Sequence, residues 1–291
     1  MSTDPAFGDG FALWPEALAR TVDGGSRPGL RVVDARTGKS ARIPSGDRIL
    51  VRTCVHLPAG DGGGRVGLTE LRAVLIGDVL QRVAEWEGLQ VVRILAVPDL
   101  DPEQVKLLDR AAAALGVHPP VAVVGPSEVR AALQGSVDVH VVASGADWPH
   151  GPDGVWIAVG DVGRSSEESG VVEALAGGAG DATALRLVLL SHPYRELART
   201  DPQALSNAAE TLRDWRRHVA DWAHAPSRPV PDEIRRRVAA AFTCDLDTPA
   251  ALALLGDVQR ADGLAAGARF ETFASADRVL ALELTRDLGL L

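Results

Sequence analysis

The chain has 291 residues, 46% of them hydrophobic, with 30 Lys and Arg against 39 Asp and Glu, a formal net charge of -9 and a pI near 5.3. This describes a globular protein of one large or two small domains, and the acid excess leaves no overall electrostatic footprint for nucleic acid, so any RNA contact has to be local. Cys54 and Cys244, the two cysteines, make neither a disulfide framework nor a four-cysteine zinc site, which points to a reduced cytoplasmic setting, while the lack of a leader or of ~18 consecutive apolar residues argues against export and membrane insertion.

Residues 1–29 mix Gly, Pro and polar residues with Phe7, Phe11 and Trp14 and read as an arm laid on the body. Ile49 to Leu57 is predicted as a buried strand, followed by a glycine-rich loop from Pro58 to Arg65. The next helix takes Thr69 as N-cap, repeats Leu71, Val74, Leu75, Val79, Leu80 and Val83 at helical spacing, and stops at Gly88. Leu89 to Val97 is a second buried strand. Asp101 then caps a helix with Pro102 in its first turn and Gln104 reaching back to the cap, and Gly116 ends it. Val121 to Val124, Val139 to Ala143 and Val155 to Val159 are short β-branched strands. Strands alternating with helices imply a parallel sheet covered by helices, a Rossmann-like α/β domain over residues 30–181.

From Asp181 the period changes. Ala184 to Leu189, Ala204 to Trp222, Ile234 to Phe242, Pro249 to Val258 and Ala276 to Leu284 all follow helical spacing with no strand between them, so residues 182–291 are expected to form an all-α bundle, one helix of which is capped at Thr248-Pro249. Lys39 and Lys106 are the only lysines, which excludes lysine-based chemistry after Lys106.

Several residues are candidates for chemistry. The loop with Gly62, Gly63, Gly64 and Arg65 lies between a strand and a helix, where an α/β sheet usually receives an anion. It is neither GxGxxG nor a P-loop, and a surface turn is the bland alternative. Cys54 and His56 alternate on one strand and so share a face; a buried cysteine is also simply a small hydrophobe. Asp138, His140 and His150 fall at strand ends on the rim of the sheet, where a satisfied core histidine is the competing reading. Asp245 and Asp247 read as helix-capping acids. Arg195, Arg199, Arg213, Arg216, Arg217, Arg235, Arg236 and Arg237 could face an RNA, but Glu196, Asp201, Glu210, Asp214 and Glu233 interleave with them as on a solvated mixed-charge face.

The residues also carry a resemblance. Val66 to Asp101, VGLTELRAVLIGDVLQRVAEWEGLQVVRILAVPDLD, resembles the first half of the catalytic domain of cysteinyl-tRNA synthetases without gaps. Leu115 to Pro120, Asp138-Val-His140 through Trp148-Pro-His150, Asp181 to Arg186 through Ser191 to Arg195, and the Asp245 to Pro249 turn resemble its successive landmarks. The ending at Leu288 to Leu291, where the anticodon-binding extension of those synthetases would begin, the stretch Pro28 to Asp34 and the pair Trp215-Arg216 are closer to the short relatives that join cysteine to an amino sugar in mycothiol biosynthesis. The resemblance implies a class I synthetase core, ATP-dependent activation and zinc held against the cysteine thiolate.

The motifs for that chemistry are altered. HIGH falls on Gly67, Leu68, Thr69 and Glu70, so both histidines are gone and an acid stands where a phosphate donor should be. KMSKS falls on Val162 to Ser166, with no lysine, where only Arg164 could partly substitute; whether Arg65, Arg72, Arg164, Ser165 and Ser166 converge there as replacement polar groups is open. Of the zinc ligands only Cys54 and His150 are matched, with Gly154 at the carboxylate position and the second cysteine in a deleted insertion, and two ligands do not make a zinc site. Each lost transition-state donor is worth ~10²- to 10³-fold in rate. The expectation is therefore a degenerate cysteine ligase-like protein, without metal or other cofactor and with weak or no ATP binding. It would be repurposed to bind or ligate an amino acid or derivative near Cys54, His56, Thr69, Glu70, Asp138, His140 and His150; the alternative is an inactive pseudoenzyme that serves a protein partner, and tRNA is not expected as a partner.

Overall fold

The computed structural model describes residues 29–44, 48–59, 66–98, 101–148, 153–163 and 170–289. Its centre is a five-stranded sheet of β3 (Leu50–His56), β4 (Gln90–Ala96), β5 (Ala122–Val124), β6 (Val139–Ala143) and β7 (Val155–Val159), ordered β5-β4-β3-β6-β7 with every pairing parallel. The predicted Rossmann-like α/β architecture is the one observed. The chain runs outward from β3 to β5, then crosses back to β6 and β7, so the order reverses between β3 and β6, the place where open parallel sheets receive ligands.

Helix α1 (Leu68–Trp86) covers one face of the sheet. Its Leu71, Leu75, Leu80 and Val83 are fully buried, each contributing ~1.5–3 kcal/mol. Gly77 lets it lie close: an added Cβ there would stand 2.6 Å from Val55 Cγ2. The N-cap is Gly67 and not Thr69 as expected. Glu70 accepts from the Gly67 N–H at 2.8 Å, so a carboxylate three residues on supplies the cap that a hydroxyl was expected to supply. Gly88, at φ +85°, follows the helix end as read from the sequence.

Helix α2 (Pro102–Ala114) is capped by Asp101, whose carboxylate accepts from Glu103 N–H. Gln104 does not reach back to that cap; its Oε1 takes the Val66 N–H at 3.0 Å instead. Among the described residues, the opposite sheet face carries a 3-10 turn, Pro126–Glu128, running into the one-turn α3 (Val129–Ala132).

Two small strand pairs escaped the hydropathy pattern. β1 (Arg31–Asp34) and β2 (Lys39–Arg42) form an antiparallel hairpin, and the Ala35 N–H donates to Trp156 O on the edge of β7. β8 (Val162–Gly163) pairs in parallel with β9 (Ala198–Arg199), which places a two-residue strand after Asp181 where none was expected.

Helix α4 (Val171–Ala176) packs on α2, and the chain then enters α5 (Ala182–Leu190), capped by Asp181. α6 (Pro202–Trp222), α7 (Asp232–Thr243), α8 (Thr248–Arg260) and α9 (Ala266–Leu280) complete the helical part. The last helix starts ten residues earlier than its apolar pattern predicts and stops before Leu282 and Leu284, which are fully buried in the turn that follows. One apolar cluster runs from Leu30 to Leu284 through both the sheet and the helices.

Asp247 caps α8 as expected, but Asp245 does not act as a helix cap. At φ +69°, it accepts from the Val33 N–H and the Tyr194 hydroxyl and pairs with Arg195, tying the hairpin to the helical part.

Candidate functional site: a cavity over the β3 and β6 switch

A cavity of about 600 Å³ lies on the sheet face opposite α1. Register puts Cys54 beside His140 and His140 beside Trp156, so alternation aims Cys54, His56, His140 and Trp156 at this face. The wall over β4 and β5 is the 3-10 turn and α3, with Ser127, Val129 and Arg130. The other wall comes from the segments flanking β6 and β7, with Asp147, Trp148, Asp153 and Trp156.

Two of the expected pocket residues meet directly. His56 Nε2 and His140 Nδ1 are 2.9 Å apart, and each residue is 7% exposed. Burial, then the neighbouring His140, pushes His56 down to about 3. Burial and then the Arg36 guanidinium push His140 down to about 4, against the opposing effect of the Asp153 carbonyl. Both rings are neutral at pH 7. One ring of the pair donates and the other accepts, in the direction their tautomers set.

The other expected residues take structural positions. Cys54 is fully buried behind the cavity floor among Ile94, Ala96, Val129, Leu133 and Val137. Asp138 accepts from the Arg52 N–H at 2.8 Å and pairs with Arg48 at 2.7 Å, so it holds the start of β6 and does not line the cavity. Thr69 Oγ1 accepts from the Val162 N–H at 3.1 Å, joining α1 to β8. Arg72, the possible replacement cation, is buried and donates to the carbonyls of Gly160, Asp161, Pro193 and Glu196. His150, Gly62, Gly63, Gly64, Arg65, Arg164, Ser165 and Ser166 lie outside the described residues.

Asp147, Asp153, Arg130 and the aromatic stack were not singled out from sequence. Trp148 and Trp156 stack with centroids 5.1 Å apart and planes at 18°, and the Arg36 guanidinium sits 4.5 Å from the Trp156 centroid. Two tryptophans eight residues apart, on either side of a strand start, were the available signal.

No protein-family model matches the chain. Among curated proteins it is similar to L-cysteine:1D-myo-inositol 2-amino-2-deoxy-alpha-D-glucopyranoside ligases. One, from Acidothermus cellulolyticus, is 34% identical over 113 residues, covering 39% of this chain and 27% of the relative. Another, from Geodermatophilus obscurus, is 39% identical over 84 residues, covering 29% of this chain and 19% of the relative. The chain is similar to cysteine ligases. The match spans about a quarter or less of the length of these relatives.

The resemblance implies zinc and ATP, and the described residues of this cysteine ligase-like chain suit neither. Cys54 is fully buried among the apolar side chains of Ile94, Ala96, Val129, Leu133 and Val137 and packs as a small hydrophobe. No three His, Cys, Asp or Glu converge as a metal-binding group among the described residues. Gly154, at the carboxylate position, has φ +76°, and an added Cβ would stand 2.6 Å from Val137 O. For a nucleotide, the α1 N-terminus would ordinarily present its N–H groups to a phosphate, but the Glu70 carboxylate already takes the Gly67 N–H there.

Proposed function

We propose that the chain binds an amino acid, or a derivative of one, in the cavity over β3 and β6 and does not activate it with ATP. The observation that carries this reading is an asymmetry between two sites. The cavity is open, its largely apolar lining set with His56, His140, Arg130, Asp147 and Asp153, whereas the α1 N-terminus is closed by its own Glu70 and the nearby Arg72 is spent on backbone carbonyls. A carboxylate in the first turn is itself favoured by the helix dipole by ~0.3–1 kcal/mol, so a phosphate has to displace it. A second reading, a ligase with an altered mechanism, is favoured by the similarity to two ligases.

Cysteine-dependent ATP–pyrophosphate exchange separates the two. We expect no exchange above a no-enzyme control, and calorimetry should show weak or no ATP binding. Micromolar ATP affinity that is lost on Arg164→Ala or strengthened on Glu70→His would establish the ligase reading instead.

A further inference from the structure

We propose that the cavity takes a ligand carrying a flat aromatic ring, which continues the stack of Trp148 on Trp156. This rests on the reading of the cavity as an amino-acid site and names the side chain it selects. Four rings run in series from the floor of the cavity up one wall: His56 to His140 at 5.1 Å between centroids, His140 to Trp156 at 5.2 Å and Trp156 to Trp148 at 5.1 Å. Aromatic pairs attract at centroid separations of about 4.5–7 Å, so each ring holds the next in place. The inner three have little surface to offer, His56 and His140 being 7% exposed and Trp156 3%. Trp148 ends the series, lines the cavity and keeps 41% of its surface.

That last ring is held in a fixed orientation. Its plane lies 18° from that of Trp156, and Trp156 is itself held by its Nε1–H on the Asp153 carbonyl at 3.2 Å and by the Arg36 guanidinium 4.5 Å from its centroid. A stacking surface ordered before the ligand arrives loses little entropy on binding. The opposite wall suits a flat guest as well, with Pro126 and Val129 presenting aliphatic carbon. A ring seated between them meets tryptophan on one face and aliphatic carbon on the other. The volume agrees: about 600 Å³ is in the range of pockets that enclose drug-sized molecules, more than a small aliphatic or thiol side chain fills.

Calorimetry at pH 7 with L-phenylalanine, L-cyclohexylalanine and L-cysteine tests this. The three share one ammonium and one carboxylate, so differences between them report the side chain, and cyclohexylalanine matches the phenyl ring in size without its π-face. Phenylalanine should bind at least about threefold more tightly than cyclohexylalanine and at least about tenfold more tightly than cysteine. Trp148→Leu, at an exposed position, should abolish the preference over cyclohexylalanine and Trp148→Phe should keep it, with circular dichroism unchanged in both. Equal binding of cyclohexylalanine, or of cysteine, would overturn the aromatic assignment yet leave the cavity as an amino-acid site. A preference that survives Trp148→Leu would overturn the placement of the ring on Trp148. Absence of binding by all three would sink the assignment together with the reading of the cavity on which it rests.

Discussion

His56 and His140 stay neutral in the folded chain at pH values where a free imidazole, titrating near 6.5, has taken up a proton. Their folded values, about 3 and about 4, lie below the unfolded one, so between pH 6.5 and about 4 the unfolded chain binds more protons than the native chain. Stability therefore rises with pH through this window and is lost as pH falls. Urea midpoints measured from pH 7 to 4.5 should decline, and His56→Gln/His140→Asn should flatten the decline; a wild-type midpoint constant over that range would contradict the buried neutral pair. Alternation along one strand made Cys54 and His56 legible as residues of one face. The hydrogen bond between residues 84 positions apart was not, because it depends on which strands are neighbours and in what register. The same limit hid Asp245, whose capping role looked secure from its local sequence and whose actual partners are Val33, Tyr194 and Arg195.

Helix α1 joins the two halves of the molecule through one buried carboxylate. Asp78, fully buried, pairs with Arg82 at 2.7 Å and Arg186 at 3.3 Å and accepts from the His118 ring and backbone N–H. Burial alone would raise its carboxyl, but His118, Arg186 and Arg82 together hold it well below the usual carboxylate range. Removing one partner of such a cluster leaves an uncompensated buried charge, so Asp78→Ala should cost about 3–5 kcal/mol; a loss below about 1 kcal/mol in denaturant unfolding would show that Arg186 is satisfied by the Leu115 and Leu280 carbonyls alone. Long helices and buried strands could be read because their apolar period repeats over many residues. The β1–β2 hairpin, four residues to a strand, and the two-residue β8 and β9 offered too little pattern. The start of α9 was missed for a different reason: Leu282 and Leu284 keep the apolar spacing going after the helix has ended, with Ala281 and Glu283 at positive φ.

At the scale of the molecule, one large apolar cluster joins the sheet to the helices, and among the described residues the surface cations are largely answered in place. Arg217 pairs with Asp214, Arg235 with Asp232 and Arg237 with Asp257, while Arg216 is buried against the carbonyls of Leu282 and Glu283. With a formal charge of -9 there is little to capture a polyanion, so purified protein should not charge tRNA; aminoacylation of tRNA(Cys) above a no-enzyme control would refute this. Among the described residues no helix is long and apolar enough to cross a membrane. The family likeness could be read from sequence because local segments such as Val66 to Asp101 retain it; the cavity could not, since its walls come from four separated stretches. Arg72, Arg93, Arg186 and Arg216 are all buried, and all donate to backbone carbonyls: Arg72, Arg186 and Arg216 to two or more at once, Arg93 to that of His118 together with the Gln81 side chain. A lysine ammonium is a compact point charge, whereas these sites use donors fanned out in a plane. At these four positions mutational drift toward lysine is closed, so the scarcity of lysine, whatever its origin in the codons, has become irreversible in the interior of this fold.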